Sequence, residues 1–135
     1  MPSNIELLRD LLGKAVEDPD AYFDRVAEDV EWDLRDTTSP MAGLYHGREA
    51  VRDLYRRWAG AFQGWHFHID RLIDAGDHVV AFVTEHGHGR ESGVEVEMKR
   101  ANVTTVRDGR IVRFRSFSSR GDALRAAGLD PDTLR

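Results

Sequence analysis

The chain has no cysteine. That absence removes disulfide bridges, thiolate nucleophiles and cysteine-ligated metals at once. No apolar run approaches the roughly 20 residues that span a bilayer. The first residues, Met1-Pro2-Ser3-Asn4, lack the basic-then-apolar order of a secretory signal. A cytoplasmic protein is therefore expected. Basic residues are outnumbered, 19 against 24 acidic, for a net charge of −5, which argues against nucleic acid or an anionic membrane as partner. No serine sits in a nucleophile-elbow pattern, and no glycine-rich phosphate loop follows a strand. Internal repeats, linkers and low-complexity segments are also missing.

What is present is 135 residues with 41% hydrophobic content, a single domain over 1–135 large enough to bury a core. Its centre is the stretch 79–117. Val79 to Thr84 is an apolar, β-branched run suited to a buried strand. Val94, Val96 and Met98 alternate with charged residues, the period of a strand with one buried face. The apolar parity then shifts to Ala101 and Val103, which predicts a bulge or sharp bend near Arg100. Asp108-Gly109 supplies the positive φ of a tight hairpin, and 111–117 returns as the closing strand. Arg113 and Arg115 are expected to face outward, opposite Glu95 and Glu97.

The first half supplies the cover. Ser3-Asn4 caps a helix with a stripe at Ile5, Leu8, Leu11, Leu12, Ala15 and Val16. Asp18 or Asp20 caps a second helix over 21–27, and 28–34 alternates as a short strand with Val30, Trp32 and Leu34 on one side. The segment 37–47 reads as a loop, its Tyr45 suggesting a flap, before a third helix over 48–62. A further strand covers 65–70, and Ser118-Ser119 caps a terminal helical turn ended by Gly128. This order predicts an α+β fold: a strongly bent antiparallel sheet against three helices, enclosing a cone-shaped pocket.

Five segments resemble the SnoaL-like branch of the nuclear-transport-factor-2-like superfamily: 28–33, 44–51, 75–77, 107–112 and 123–128. The resemblance spans nearly the whole chain and implies a cone-shaped barrel. Relatives include polyketide cyclases, ketosteroid isomerases, epoxide hydrolases and dehydratases, as well as proteins without known chemistry. By position, Asp33 falls where the isomerases hold an aspartate base, and Asn102 where many relatives have a pocket aspartate. Ser116 falls where epoxide hydrolases keep a catalytic aspartate, which argues against that mechanism. Leu11 and Leu12 stand where isomerases would place a tyrosine donor. The resemblance also implies a homodimer packed through the outer sheet face, which Ile111 and Phe117 make partly apolar.

The residues themselves point the same way. A carboxylate at Asp33, beside Trp32 in an apolar pocket, would have a raised pKa and act as a general base. Asn102 can donate a hydrogen bond to an oxyanion but cannot move a proton. His86, by its parity with Phe82 and Thr84, is expected in the pocket as an auxiliary acid or base. Phe82, Thr84, Phe114 and Ser116 should line the same cavity with Trp32, Trp58 and Phe62, although Trp58, Tyr55 and Phe62 at helical spacing also suit a core. The pairs His66/His68 and His86/His88 would form a metal site only in facing register, so surface histidines are expected and no metal or organic cofactor. The expected ligand is an apolar small molecule of carbonyl type. Three readings follow: an acid/base enzyme, a non-catalytic binding domain with the same pocket, and a dimeric interaction module.

Overall fold

The structure, a computed structural model, describes residues 3–134. Helix α1 (Asn4–Lys14) begins with a capping box: the Ser3 hydroxyl accepts from Glu6 N, and the Glu6 carboxylate accepts from Ser3 N. It buries Leu8 and Leu11. Helix α2 (Pro19–Phe23) is capped by Asp18 and buries Tyr22 and Phe23. It stops earlier than expected because strand β1 (Val26–Asp36) already pairs at Val26 with Ile111. Strand β2 (Leu44–His46) adds to the edge of β1 inside the predicted loop. Helix α3 (Arg48–Gly60) leads into β3 (Phe62–Ala75), β4 (His78–Gly89), β5 (Glu95–Arg107) and β6 (Arg110–Phe117). The chain closes with α4 (Arg120–Ala126) and a 3-10 turn, Pro131–Leu134.

The six strands form one curved, unclosed sheet in the order β2-β1-β6-β5-β4-β3. Four pairings are antiparallel; β1 and β6, brought together from opposite ends of the chain, run parallel. The hairpin between β5 and β6 turns at Asp108 and Gly109, with φ of 53° and 74°. Two successive positive φ values match the right-handed twist of the strands, and Asp-Gly reaches them at little steric cost.

The bulge expected at Arg100 is absent. β4 and β5 pair residue for residue, from His78 opposite Thr105 to His88 opposite Glu95. The parity of apolar residues changes for another reason: the sheet is covered on both faces. Helices α1, α2 and α3 cover one face over Val26, Val30, Val79, Val106 and Ile111. Helix α4 packs on the other, with Ala123 and Leu124 over Val80, Phe82, Ala101, Val103 and Phe117. Ala101 and Val103 are thus apolar because α4 covers them. Register shifts occur instead in β3, at 63/66 and 69/71, and at 105/106.

Two further expectations change with this arrangement. Ile111 is fully buried in the main core and Phe117 lies beneath α4, so neither offers an apolar patch to a partner. Arg113 and Arg115 stand opposite Thr105 and Val103, far along the ladder from Glu95 and Glu97. Arg113 instead meets Glu31 of β1 at 3.1 Å, and Arg115 lies over the Phe117 ring.

Candidate active-site cavity

Between the concave face of the sheet and helices α1 to α3 lies a cavity of about 170 Å³. A cavity of roughly 150 Å³ holds a benzene ring, so this one suits a single-ring molecule better than a fused polycycle. Its walls are largely aromatic. Trp32 of β1 stacks on Phe114 of β6, its cross-strand partner, with ring centroids 4.1 Å apart and planes 17° from parallel. Tyr55 of α3 meets Trp65 edge-on, and Trp65 leans on Phe67. The loop 37–43 contributes Ser39 and Met41. It is pinned by Tyr45, whose hydroxyl donates to the Met41 carbonyl at 2.8 Å.

The polar groups in these walls are few. Glu85 of β4 and Arg100 of β5 both line the cavity. Arg100 Nε donates to Glu85 Oε2 at 2.6 Å, with side chains only 14% and 12% exposed. Arg100 also lies over the Trp58 ring at 5.3 Å. Burial pushes the Glu85 carboxyl above its ordinary pKa, although the charge and hydrogen bond of Arg100 pull the other way. Asn102 and Ser116, opposite each other on β5 and β6, line the same wall. The Ser116 hydroxyl donates to Asn102 Oδ1 at 2.7 Å, so the amide has its N–H hydrogens to offer the cavity. Trp58 and Trp65 each carry a buried indole N–H without an acceptor among the described residues. Burial also raises the pKa of Tyr22 and Tyr55 in the helical wall, so both hydroxyls stay protonated.

Of the residues expected here, Trp32, Trp58, Asn102, Phe114 and Ser116 line the cavity. Asp33, Phe62, Phe82, Thr84 and His86 do not. Asp33 is buried, but strand alternation turns it away from Trp32 and Leu34. Arg35 grips it with Nε and a terminal guanidinium nitrogen at 3.0 and 2.9 Å, and the Arg35 amide adds a third bond. Those bonds outweigh desolvation and hold its pKa down at about 2. A carboxylate so committed is a weak base, so Asp33 is corrected from pocket base to ion-pair partner. Phe82, Thr84 and His86 fall on the opposite face because the unbulged register gives the cavity Val83 and Glu85 instead. There Phe82 lies under Arg120, and the Thr84 hydroxyl donates to Asp70 at 2.6 Å. Phe62 packs against Trp58 rather than reaching the cavity.

Sequence reasoning missed Glu85, Arg100, Tyr22 and Trp65. The signal for the first two was available: a bulge-free hairpin that places Asn102 in the cavity also places Arg100 there, with Ala81, Val83 and Glu85 opposite. Among the described residues, no helix is long and apolar enough to cross a membrane.

This fold and cavity define a class, and sequence comparison agrees. Residues 13–114 match the SnoaL-like domain model, so the chain belongs to the SnoaL-like family. An NTF2-like protein from Burkholderia thailandensis E264 is 32% identical, with TM-score 0.77, over 87% of this chain and 91% of its own. An NTF2-like protein of unknown function from Burkholderia pseudomallei K96243 is 23% identical, with TM-score 0.76, over 93% and 97%. A hypothetical protein with a ketosteroid isomerase-like fold from Catenulispora acidiphila DSM 44928, in complex with trimethylamine, is 20% identical, with TM-score 0.71, over 98% of both chains. No functionally curated protein matches this chain.

Proposed function

We propose that this protein is a cofactor-independent acid/base enzyme acting on a small, largely apolar carbonyl compound, about one ring in size, held in the cavity. Glu85 carries the proposal: a buried carboxylate with a raised pKa in a largely apolar wall. In this reading Glu85 takes the proton from the carbon next to the substrate carbonyl. The bonding electrons move onto the carbonyl oxygen, and the Asn102 amide donates to the resulting oxyanion, an interaction worth several kcal/mol. In a substrate with a β,γ-double bond the enolate is a dienolate, and return of the proton to its γ-carbon, with the double bond moved to the α,β-position, completes an isomerisation. The two unpartnered indole N–H groups of Trp58 and Trp65 supply further donors to oxygen atoms of the substrate.

The non-catalytic binding domain is favoured by a different observation: Arg100 neutralises Glu85, and Asn102 and Ser116 stand where the resemblance gives active relatives carboxylates. A homodimer through the outer sheet face belongs to either reading; its support is the family resemblance, which implies one, and the part of that face that α4 leaves uncovered. Light scattering at tens of micromolar tests it, a monomer counting against it.

The test of catalysis uses cyclohexanone in D2O, followed by proton NMR. Faster exchange of its α-protons with the protein than without it, abolished in Glu85→Gln, is the expected result. Binding of the ketone without accelerated exchange selects the binding domain.

A further inference from the structure

We propose that His66, His68 and His86 form a three-imidazole site for a divalent transition-metal ion, Zn2+ foremost, on the sheet face opposite the cavity. His66 and His68 alternate along β3 and so share a face, and His66 stands directly opposite His86 on β4. Ring centroids are 5.4 Å apart for His66 and His68, and 5.2 Å for each of them to His86. Three imidazoles bound to one ion through bonds of about 2.0–2.1 Å, at tetrahedral angles, hold their ring centroids about 5 Å apart. The triangle therefore already has the size of a loaded site.

A second observation concerns the ring of His66. Its Nδ1 lies 2.8 Å from the Gly64 carbonyl, which can only accept. Nδ1 therefore carries the proton, and Nε2 is left with the lone pair a metal needs. A backbone carbonyl holding the distal ring N–H is the usual support for a histidine ligand. Gly64 reaches that position through a left-handed φ of 63° at the irregularity between Gln63 and His66.

As the rings stand, no three histidine or acidic side chains among the described residues are posed around one metal position. Binding thus requires the rings of His68 and His86 to turn about Cβ–Cγ, a soft torsion, His86 leaving its near-parallel stack on His66 while His66 keeps its Gly64 bond. Asp70 does not compete, since Thr84 and Arg120 already engage it. Glu97, the exposed cross-strand partner of His86 on β5, or water is at hand for a fourth position. An all-imidazole set suits Zn2+, Ni2+ or Cu2+, and suits Mg2+ or Ca2+ poorly.

Isothermal titration of the full chain, free of any polyhistidine tag, with zinc chloride tests the site. The expected result is one ion per chain, with affinity falling at least about tenfold in each of His66→Ala, His68→Ala and His86→Ala, and unchanged in His46→Ala on β2. Circular dichroism confirms that each variant is folded. Absence of binding to the wild-type chain overturns the proposal, and so does affinity that survives any one of the three substitutions. Both results are independent of whether the cavity catalyses anything.

Discussion

Arg100 Nε and Glu85 Oε2 are 2.6 Å apart in the wall of an aromatic cavity, an ion pair formed between diagonal neighbours on β5 and β4. Removing one member of a buried pair leaves the other charge uncompensated, whereas replacing both with apolar groups is often neutral. Arg100→Met, which leaves the Glu85 carboxylate buried without its partner, is expected to destabilise the fold by roughly 3 kcal/mol at neutral pH. Glu85→Gln, which mimics the neutral carboxyl that burial favours, is expected to cost much less, and the double substitution to restore most of the loss seen in Arg100→Met. Urea denaturation of the four proteins of the double-mutant cycle measures it; additive effects would show that the pair is not coupled.

Asp33 makes stability depend on pH at the acid end. Its folded pKa of about 2 lies below the ordinary 3.8, so its stabilising contribution is present above pH 4 and disappears as pH falls through about 2. Arg35 is half-exposed, which limits the contribution to about 1 kcal/mol after solvent screening. Asp33→Asn should therefore lower stability by about 1 kcal/mol at pH 7, with the gap to wild type closing in acid. An equally stable variant at neutral pH would contradict the assignment.

The contact between α4 and the sheet is a separate apolar layer. Leu124 and Phe117 are buried together there. Leu124→Ala should cost about 2–5 kcal/mol and Phe117→Ala about 3–5 kcal/mol. Thermal unfolding followed by circular dichroism reads both. A small loss would mean that α4 does not hold the face it covers.

Tyr45 links the loop 37–43 to the cavity. Tyr45→Phe removes the bond to the Met41 carbonyl and should cost about 1 kcal/mol. It should also speed amide exchange around Ser39 and Met41, seen by hydrogen–deuterium exchange. Unchanged exchange there would show that the loop is held by its packing alone.

The elements most legible in the sequence are those with a local chemical cause. Asp108-Gly109 makes its turn wherever it sits, and the stripes of α1 and α3 follow from their own spacing. Counting back from that turn put Asn102 at a pocket position, and the resemblance with alternation along the closing strand did the same for Ser116 and Phe114; all three line the cavity. The failures come from β4, whose Val79 to Val83 run is buried on both faces and so carries no alternation to say which face is which. Assigning Phe82, Thr84 and His86 to the cavity rested on that silent stretch. Strand β2 is three residues long, and the parallel union of β1 with β6 is a long-range pairing; neither leaves a local trace.

Glu85 is the residue on which the functional reading turns, and its own titration tests that reading most directly. Because its carboxyl is raised by burial, its neutral form is favoured by folding. The stabilisation this gives is present below the unfolded pKa and lost as pH rises through the folded one. Side-chain carboxyl carbons followed by NMR from pH 3 to 9, with Glu85→Gln to assign the signal, report the value. The expected result is a midpoint above the ordinary 4.5, moving further up in Arg100→Met. A midpoint at or below 4.5 would contradict Glu85 as the base of the cavity.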